Sequence, residues 1–348
     1  MTAHHDGAVE SIRIGALAPL SFPGWVEAGR HLVAGLELGV SDVNDAGGID
    51  GRSIELIVRD TAADPAMAAA AVDELARLGV VALAGEYHSV VARAVAARAD
   101  ALAIPYLCSS AVFDALTEAP TEWVARLAPA QSHSWQIYAD FLINAGHRHI
   151  AVAVQPSVYW ASGIRVLRDR LASRGGSVIE FDLSALAPTA LCDELVACGA
   201  KALLLLVGYP EPAVSVVRSV RNDPRLTGML VGAPAGQPEF AEWARLLGAD
   251  GATVPFLRYL PEHLGPLGRH VMIALRERLA EAPSFVALEG YDTIITLAEV
   301  LRLRVVETSS VNAPWSLVRV DATRGGNPLL KSAGDQCVAM GLGTDPNR

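Results

Sequence analysis

Strand-like and helix-like runs alternate along almost the whole of this chain, and that order constrains its fold more than any other feature. "IRIGALA" (12–18), "SIELIVR" (53–59), "VVALA" (80–84) and "IPYLC" (104–108) are short, apolar and branched, as buried strands are. Between them, "AGRHLVAGLELGVSDVNDA" (28–46), "PAMAAAAVDELARLG" (65–79) and the run from Ser89 carry helical apolar spacing, and Asp64-Pro65 makes a helix start that Gly79 closes. Consecutive strands joined through helices are parallel, because a parallel pair needs a long crossover. The expected class is therefore α/β, with doubly wound parallel sheets covered by helices on both faces.

A second set follows from about residue 125. It has a helix over 132–146, a strand "HIAVAV" (149–154), a helix from Trp160 to Arg174, and the strands "SVIEFDL", "KALLLLVGY" and "GMLVGAP". Then come an extended "GATVPFLRYLP" (251–261), two long helices near 265–281 and 286–304, and an extended "NAPWSLVRV" (312–320). At 348 residues two domains are expected, and a 51% hydrophobic fraction is that of a folded chain. With 38 acidic against 28 basic residues the net charge is −10, the wrong sign for gripping a phosphate backbone, so no nucleic-acid partner is expected. No apolar run approaches the roughly 20 residues that cross a bilayer, so no membrane insertion is expected.

Several features have an ordinary reading. "NDAGGIDGR" (44–52) follows a helix and precedes a strand, the reverse of a phosphate loop, so its glycines mark a helix stop and tight turn. Cys108, Cys192, Cys198 and Cys337 make no CxxC or zinc spacing. "HRH" (147–149) offers two histidines on one side of a strand with no third ligand in view. No metal and no cofactor are expected. The opening "MTAHHDGAVE" (1–10) is a polar arm lacking a basic region followed by an apolar one. Cytoplasmic placement is the expectation, with the periplasm as the alternative if a leader has been removed.

"IRIGALAPLS", then "NDAGGIDGRSIEL", then a strand ending in "GEYHS" together resemble the type I periplasmic-binding-protein family, which includes the leucine/isoleucine/valine binders of ABC transporters. The resemblance runs from about Ile12 to Val320. "GEYHSVVARAVAARADAL" and "VNAPWSLVRV" are most similar to its amide-sensor and urea-binding branch. It implies two lobes joined by three crossings, near 122–128, 250–256 and 313–320, that close on a ligand. Lobe 1 would be 11–124 plus 253–316, and lobe 2 would be 125–252 plus 317–345.

The resemblance also implies a site at the carboxyl ends of the strands, where open α/β sheets bind ligands. Ser89 is expected to cap its helix and donate to a ligand carbonyl or carboxylate, with Tyr87 beside it. The next turn, "CSSAVFDAL" (108–116), offers Ser110, Ala111 and Val112, the last where branched-chain binders carry a threonine. Trp25 from "PLSFPGWVEAG", Tyr159 or Trp160 from "PSVYWASG", and Tyr209 from "VGYP" are the expected aromatic walls. In "VGAPAG" (231–236), Pro234 stands where amino-acid binders carry the glutamate that pairs the ligand ammonium. Either Glu86, Asp114 or Glu239 substitutes, or the ligand has no ammonium.

Three functions are separable on these grounds. The first is a non-enzymatic solute-binding protein taking an amide, urea-like molecule, aromatic acid or amino-acid derivative, with an ABC permease as partner. The second is a cytoplasmic sensor acting on a regulatory protein. The third is a serine hydrolase using Ser89 with His88, against which stands the lack of a G-x-S-x-G elbow.

Overall fold

The computed structural model describes residues 11–118, 121–260, 263–308 and 339–342. They divide into two compact units. The first holds the described residues up to Ala128, with Arg269–Leu279 and the stretch from Val286 onward; the second holds Pro129–Gly268, Ala280–Phe285 and the short strand 339–342.

The first unit runs β1 (Ile12–Ala18), α1 (Val26–Asp45), β2 (Ile54–Asp60), α2 (Pro65–Arg77), β3 (Ala82–Gly85), α3 (Ser89–Ala101), β4 (Tyr106–Cys108) and β5 (Val124–Arg126). Its five strands are parallel in the order β2-β1-β3-β4-β5, with Gly85 beside Cys108 and Cys108 beside Arg126. Segment 122–128, expected only as a crossing, thus also supplies an edge strand. Asp64 caps α2 by accepting from the N–H groups of Ala66 (2.6 Å) and Met67 (2.9 Å), with Pro65 in the first turn, as the sequence implies. The 44–52 segment is the expected turn: Gly47, Gly48 and Gly51 have φ of 97°, 74° and 77°.

The second unit runs α4 (Gln131–Asn144), β6 (His149–Val154), α5 (Val158–Ala172), β7 (Ser177–Asp182), α6 (Pro188–Cys198), β8 (Ala202–Leu206), α7 (Ala213–Asn222), β9 (Leu230–Gly232), α8 (Ala241–Leu247), α9 (Ala249–Ala252) and β10 (Pro255–Arg258). β7-β6-β8-β9 form a four-stranded parallel sheet. Its core joins Leu203, Leu205 and Val231 to Leu191, Leu195, Val216, Val217, Trp243 and Phe256. α10 (Pro266–Leu279) and α11 (Phe285–Thr308) follow, and β11 (Ala339–Leu342) pairs antiparallel with β10. α11 packs on α1 through glycine: a Cβ on Gly35 would stand 1.9 Å from the Ala287 carbonyl oxygen.

Four expectations need correction or delimiting. The extended reading of 251–261 holds only for Pro255–Arg258, because α9 takes the residues to Ala252. Residues 253–268, read with the first lobe, group with the second unit. There β10 pairs with β11, Phe256 bridges to Ala233, and the Tyr138 hydroxyl donates to Pro255 O at 2.8 Å. His147 precedes β6 rather than alternating within it, and His149 Nδ1 sits 2.9 Å from Ser177 Oγ. The third crossing (313–320), the arm 1–10, Cys337 and most of 317–345 lie outside the described residues. Among the described residues no helix is long and apolar enough to cross a membrane.

Candidate ligand-binding site

In the first unit the site elements sit where β3 and β4 end. Gly85, with φ of 102°, passes so close to β1 that a Cβ would stand 2.0 Å from Leu17 O. The next residue, Glu86, is wholly buried and organises the turn. One carboxyl oxygen accepts from the N–H groups of Tyr87 and His88, both at 2.9 Å, and the other from the Thr61 hydroxyl at 2.8 Å. Burial raises its pKa to about 7 despite these donors. Glu86 is thus engaged by three donors of its own unit, two of them in its own turn.

Tyr87 is edge-on to Trp25, with ring centroids 5.5 Å apart, and to His88 at 5.3 Å. His88 Nε2 accepts from the Trp25 N–H at 3.2 Å. Burial lowers the His88 pKa to about 4, so it is neutral at pH 7. A neutral His88 brings no positive charge to a ligand carboxylate. It also removes the hydrolase geometry, since the nitrogen that would serve as base is occupied by a backbone donor. His88, not Ser89, is the N-cap of α3, and no side chain caps the helix. The expected Ser89 cap is therefore corrected: Ser89 opens the first turn of a helix whose N–H groups no capping side chain satisfies.

The loop 19–25 that carries Trp25 is fastened at both ends. Asp60 accepts from Leu20 N (2.7 Å), the Ser21 hydroxyl (2.5 Å) and Ala62 N (2.8 Å). Burial pushes Asp60 upward, but these donors outweigh it and hold the carboxyl below its ordinary value. At the loop's apex Phe22 is 82% exposed.

The β4 turn lies alongside. Ser109 Oγ accepts from Gly85 N (3.2 Å) and sits 2.8 Å from Thr293 Oγ1 of α11. Ser110 N donates to Glu86 O at 3.4 Å, tying the two turns together. The Ser110 hydroxyl is buried without a hydrogen-bond partner. Among the described residues, the N–H groups of Ala111, Val112 and Phe113, all buried, also have no acceptor. Such a run of unpaired buried donors is uncommon in folded proteins and matches an anion or a carbonyl.

In the second unit the corresponding turns carry rings. Tyr159 and Trp160 lie 4.7 Å apart in the first turn of α5, and Trp135 of α4 approaches them at 6.3 and 6.0 Å. Gly163 makes room for that indole, whose carbons a Cβ there would meet at 2.2 Å. Tyr209, after β8, stacks on Trp243 at 5.7 Å. Ser157 caps α5 through its hydroxyl, accepting from Trp160 N at 3.1 Å. After β9, Pro234 is buried and Glu239 takes the N–H groups of Tyr259 (3.0 Å) and Leu260 (3.1 Å). Burial raises Glu239 to about 7, and it too is committed to backbone.

Sequence reasoning missed three residues here. Gln131, fully buried, donates from Nε2 to Tyr159 O at 3.0 Å while its Oε1 has no partner. Gln237 similarly leaves a buried Oε1 unpartnered three residues after Pro234. Arg126, at the end of β5, donates from Nη1 to Val112 O (3.1 Å) and Phe113 O (2.9 Å). No local signal in the sequence marks Arg126, because only the pairing of β5 with β4 brings it beside the Cys108–Val112 turn.

A family model described as "Periplasmic binding protein" matches residues 11–313. The Leu/Ile/Val-binding protein homolog 8 of Brucella abortus is 31% identical over 138 residues, 39% of this chain and 34% of that protein. The chain thus spans about a third of the length of the curated relatives it matches. A solute binding protein from R. palustris, solved in complex with benzoate, superposes with a TM-score of 0.75 at 18% identity, covering 87% of this chain and 84% of that one. The leucine binding protein LivK from Thermotoga maritima superposes at 0.74 with 18% identity, covering 84% and 83%. At these identities the structures establish a shared fold, two parallel-sheet units of the type I periplasmic-binding-protein kind, and nothing about ligand.

Proposed function

The chain belongs to the periplasmic binding protein family, and on that premise we propose that it is a non-enzymatic substrate-binding component of an ABC-type uptake system. Its proposed ligand is a small organic carboxylate with a flat or apolar body and no ammonium group. One observation carries this reading: among the described residues, the buried Ser110 Oγ and the N–H groups of the buried residues Ala111, Val112 and Phe113 have no acceptor. The uncapped start of α3, with Ser89, adds further donors and the positive end of a helix dipole. A carboxylate accepts from several donors at once. A neutral amide brings N–H groups that would themselves need acceptors.

An ammonium is disfavoured for the same reason. Glu86 and Glu239 are each committed to backbone donors, and Pro234 offers neither charge nor N–H. Trp25 and Tyr87 of the first unit are the proposed partners of the ligand body, and in the second unit Tyr159, Trp160 and Tyr209 are proposed as an aromatic wall of its own strand-end turns. The benzoate carried by the R. palustris relative is a ligand of this description. The proposed compartment is the family's own, the periplasm, with a permease as partner. Retention of the native gene product in the cytoplasm on fractionation would instead favour the sensor reading.

The direct test is calorimetry with benzoate, benzamide, L-leucine and 4-methylpentanoate, the des-amino counterpart of leucine. Benzoate or 4-methylpentanoate should bind more tightly than its amide or amino-acid counterpart. Tight binding of leucine that vanishes with the amino group removed would overturn the proposal.

A further inference from the structure

We propose that Arg126 is a positioning residue that makes the 110–113 turn selective for a carboxylate over a neutral amide. The inference rests on the carboxylate reading above. Arg126 is half-buried at the end of β5, in register with Cys108. Among the described residues no carboxylate lies within ion-pair distance of it. Asp114 and Glu118 act on it only from farther away, and the Cys108 thiol is its neighbour on β4. Arg93 of α3 also reaches this turn, its guanidinium 5.4 Å from the centre of the Phe113 ring.

A partly buried guanidinium with no carboxylate in contact is costly and ordinarily finds one. This one takes two main-chain carbonyls instead, Val112 O and Phe113 O, through Nη1. The C=O and N–H of a peptide unit point in opposite directions. Drawing the Val112 carbonyl toward Arg126 therefore turns the Phe113 N–H away from it. Holding the Phe113 carbonyl does the same to the N–H of Asp114. Arg126 thus removes two acceptors from the side where the unpaired donors lie, and those acceptors would repel an anion and welcome an amide. Its charge adds a fixed positive potential behind the turn. A residue kept only for stability would do neither.

The experiment measures the ratio of benzamide to benzoate dissociation constants by calorimetry in the intact protein, with circular dichroism to confirm folding. In Arg126→Met the carbonyls lose their donor, and the ratio should fall about tenfold or more, by the loss of charge-assisted positioning. Arg126→Lys keeps a charged donor, so its ratio should stay within about threefold of wild type. If the Met variant does not fold, Arg126→Gln takes its place. It lacks charge and fork geometry, and its ratio should fall by at least about threefold. An unchanged ratio in a folded Met or Gln variant would overturn the role of Arg126 while leaving the carboxylate reading intact. A wild-type protein that binds benzamide as tightly as benzoate would overturn both.

Discussion

The turns at the strand ends of the two units differ in what they leave unsatisfied. In the first unit α3 begins without a capping side chain, and the turn after β4 presents consecutive N–H groups and a hydroxyl without acceptors among the described residues. In the second unit Ser157 fills the start of α5, and the Glu211 carboxylate accepts from Ser215 N in the first turn of α7 at 3.3 Å. Proline at 210, 212, 234 and 238 deletes further donors there. One unit is rich in donors and the other is rich in rings. Two sheets of the same winding therefore do different chemistry, and the difference lies in caps and prolines rather than in topology.

The largest expected effect tests how tightly the first unit's turn is built. Gly85→Ala would force a side chain onto a left-handed residue and into Leu17 O, and should cost about 3 kcal/mol or more of stability in denaturant titration. Gly208, at the matching end of β8, meets only the Gln155 side chain at 3.1 Å and Glu211 O at 3.2 Å. Gly208→Ala should cost no more than about 1 kcal/mol. Equal costs would show that the two turns are equally constrained and weaken the comparison.

The next effect is on pH dependence, where each unit has a turn carboxyl raised by burial. Glu86 and Glu239 both have pKa values raised to about 7 by burial. A raised folded-state pKa gives stability that is fully present below the unfolded value and lost as pH rises through the folded one. Between pH 4.5 and 7 each carboxyl should therefore lower stability by up to about 1.4 kcal/mol per pH unit. Glu86→Gln and Glu239→Gln should each flatten the curve by a comparable share, read from urea midpoints across that window. A curve left unchanged by both would show that neither carboxyl titrates there.

Ligand grip comes next. Ser89→Ala should weaken benzoate binding by about 1.5–3 kcal/mol, the usual cost of losing one hydrogen bond to a charged group, with the thermal midpoint of the free protein little changed. Unaltered affinity would remove Ser89 from the site. The smallest effect belongs to the satisfied cap of the second unit. Ser157→Ala should lower stability by about 1 kcal/mol and leave benzoate affinity untouched. A loss of affinity there would mean that the second unit also contributes polar contacts.

Most of the fold was legible because it depends on periodicity. β1, β6, β7 and α2 lie within two residues of where branching, alternation and the Asp64-Pro65 start put them. The misreadings occurred where long-range pairing decides. Segment 124–126 is too short to announce itself as a strand, and becomes one only because β4 offers it an edge. Residues 251–261 read as extended and the stretch from 253 was placed with the first lobe, whereas it groups with the second unit, since nothing local reveals the pairing of β10 with β11. At the site, Ser89, Tyr87 and Ser110 could be singled out because they follow strand ends. The commitments of Glu86, Glu239 and His88 could not, because each depends on which backbone N–H another part of the chain brings to it.

The double fastening of the loop before α1 has a consequence for how this protein can change over time. Asp60 secures one end and His88 the other, so Trp25 is held by contacts that do not pass through the loop's tip. Phe22 and Pro23 project from that tip into solvent. Substitutions there are uncoupled from the residues beneath, so a lineage can alter what the rim presents to its surroundings while inheriting the same grip. The tip is accordingly the place where sequences sharing this site should diverge first, and where a reporter group can be attached with least disturbance.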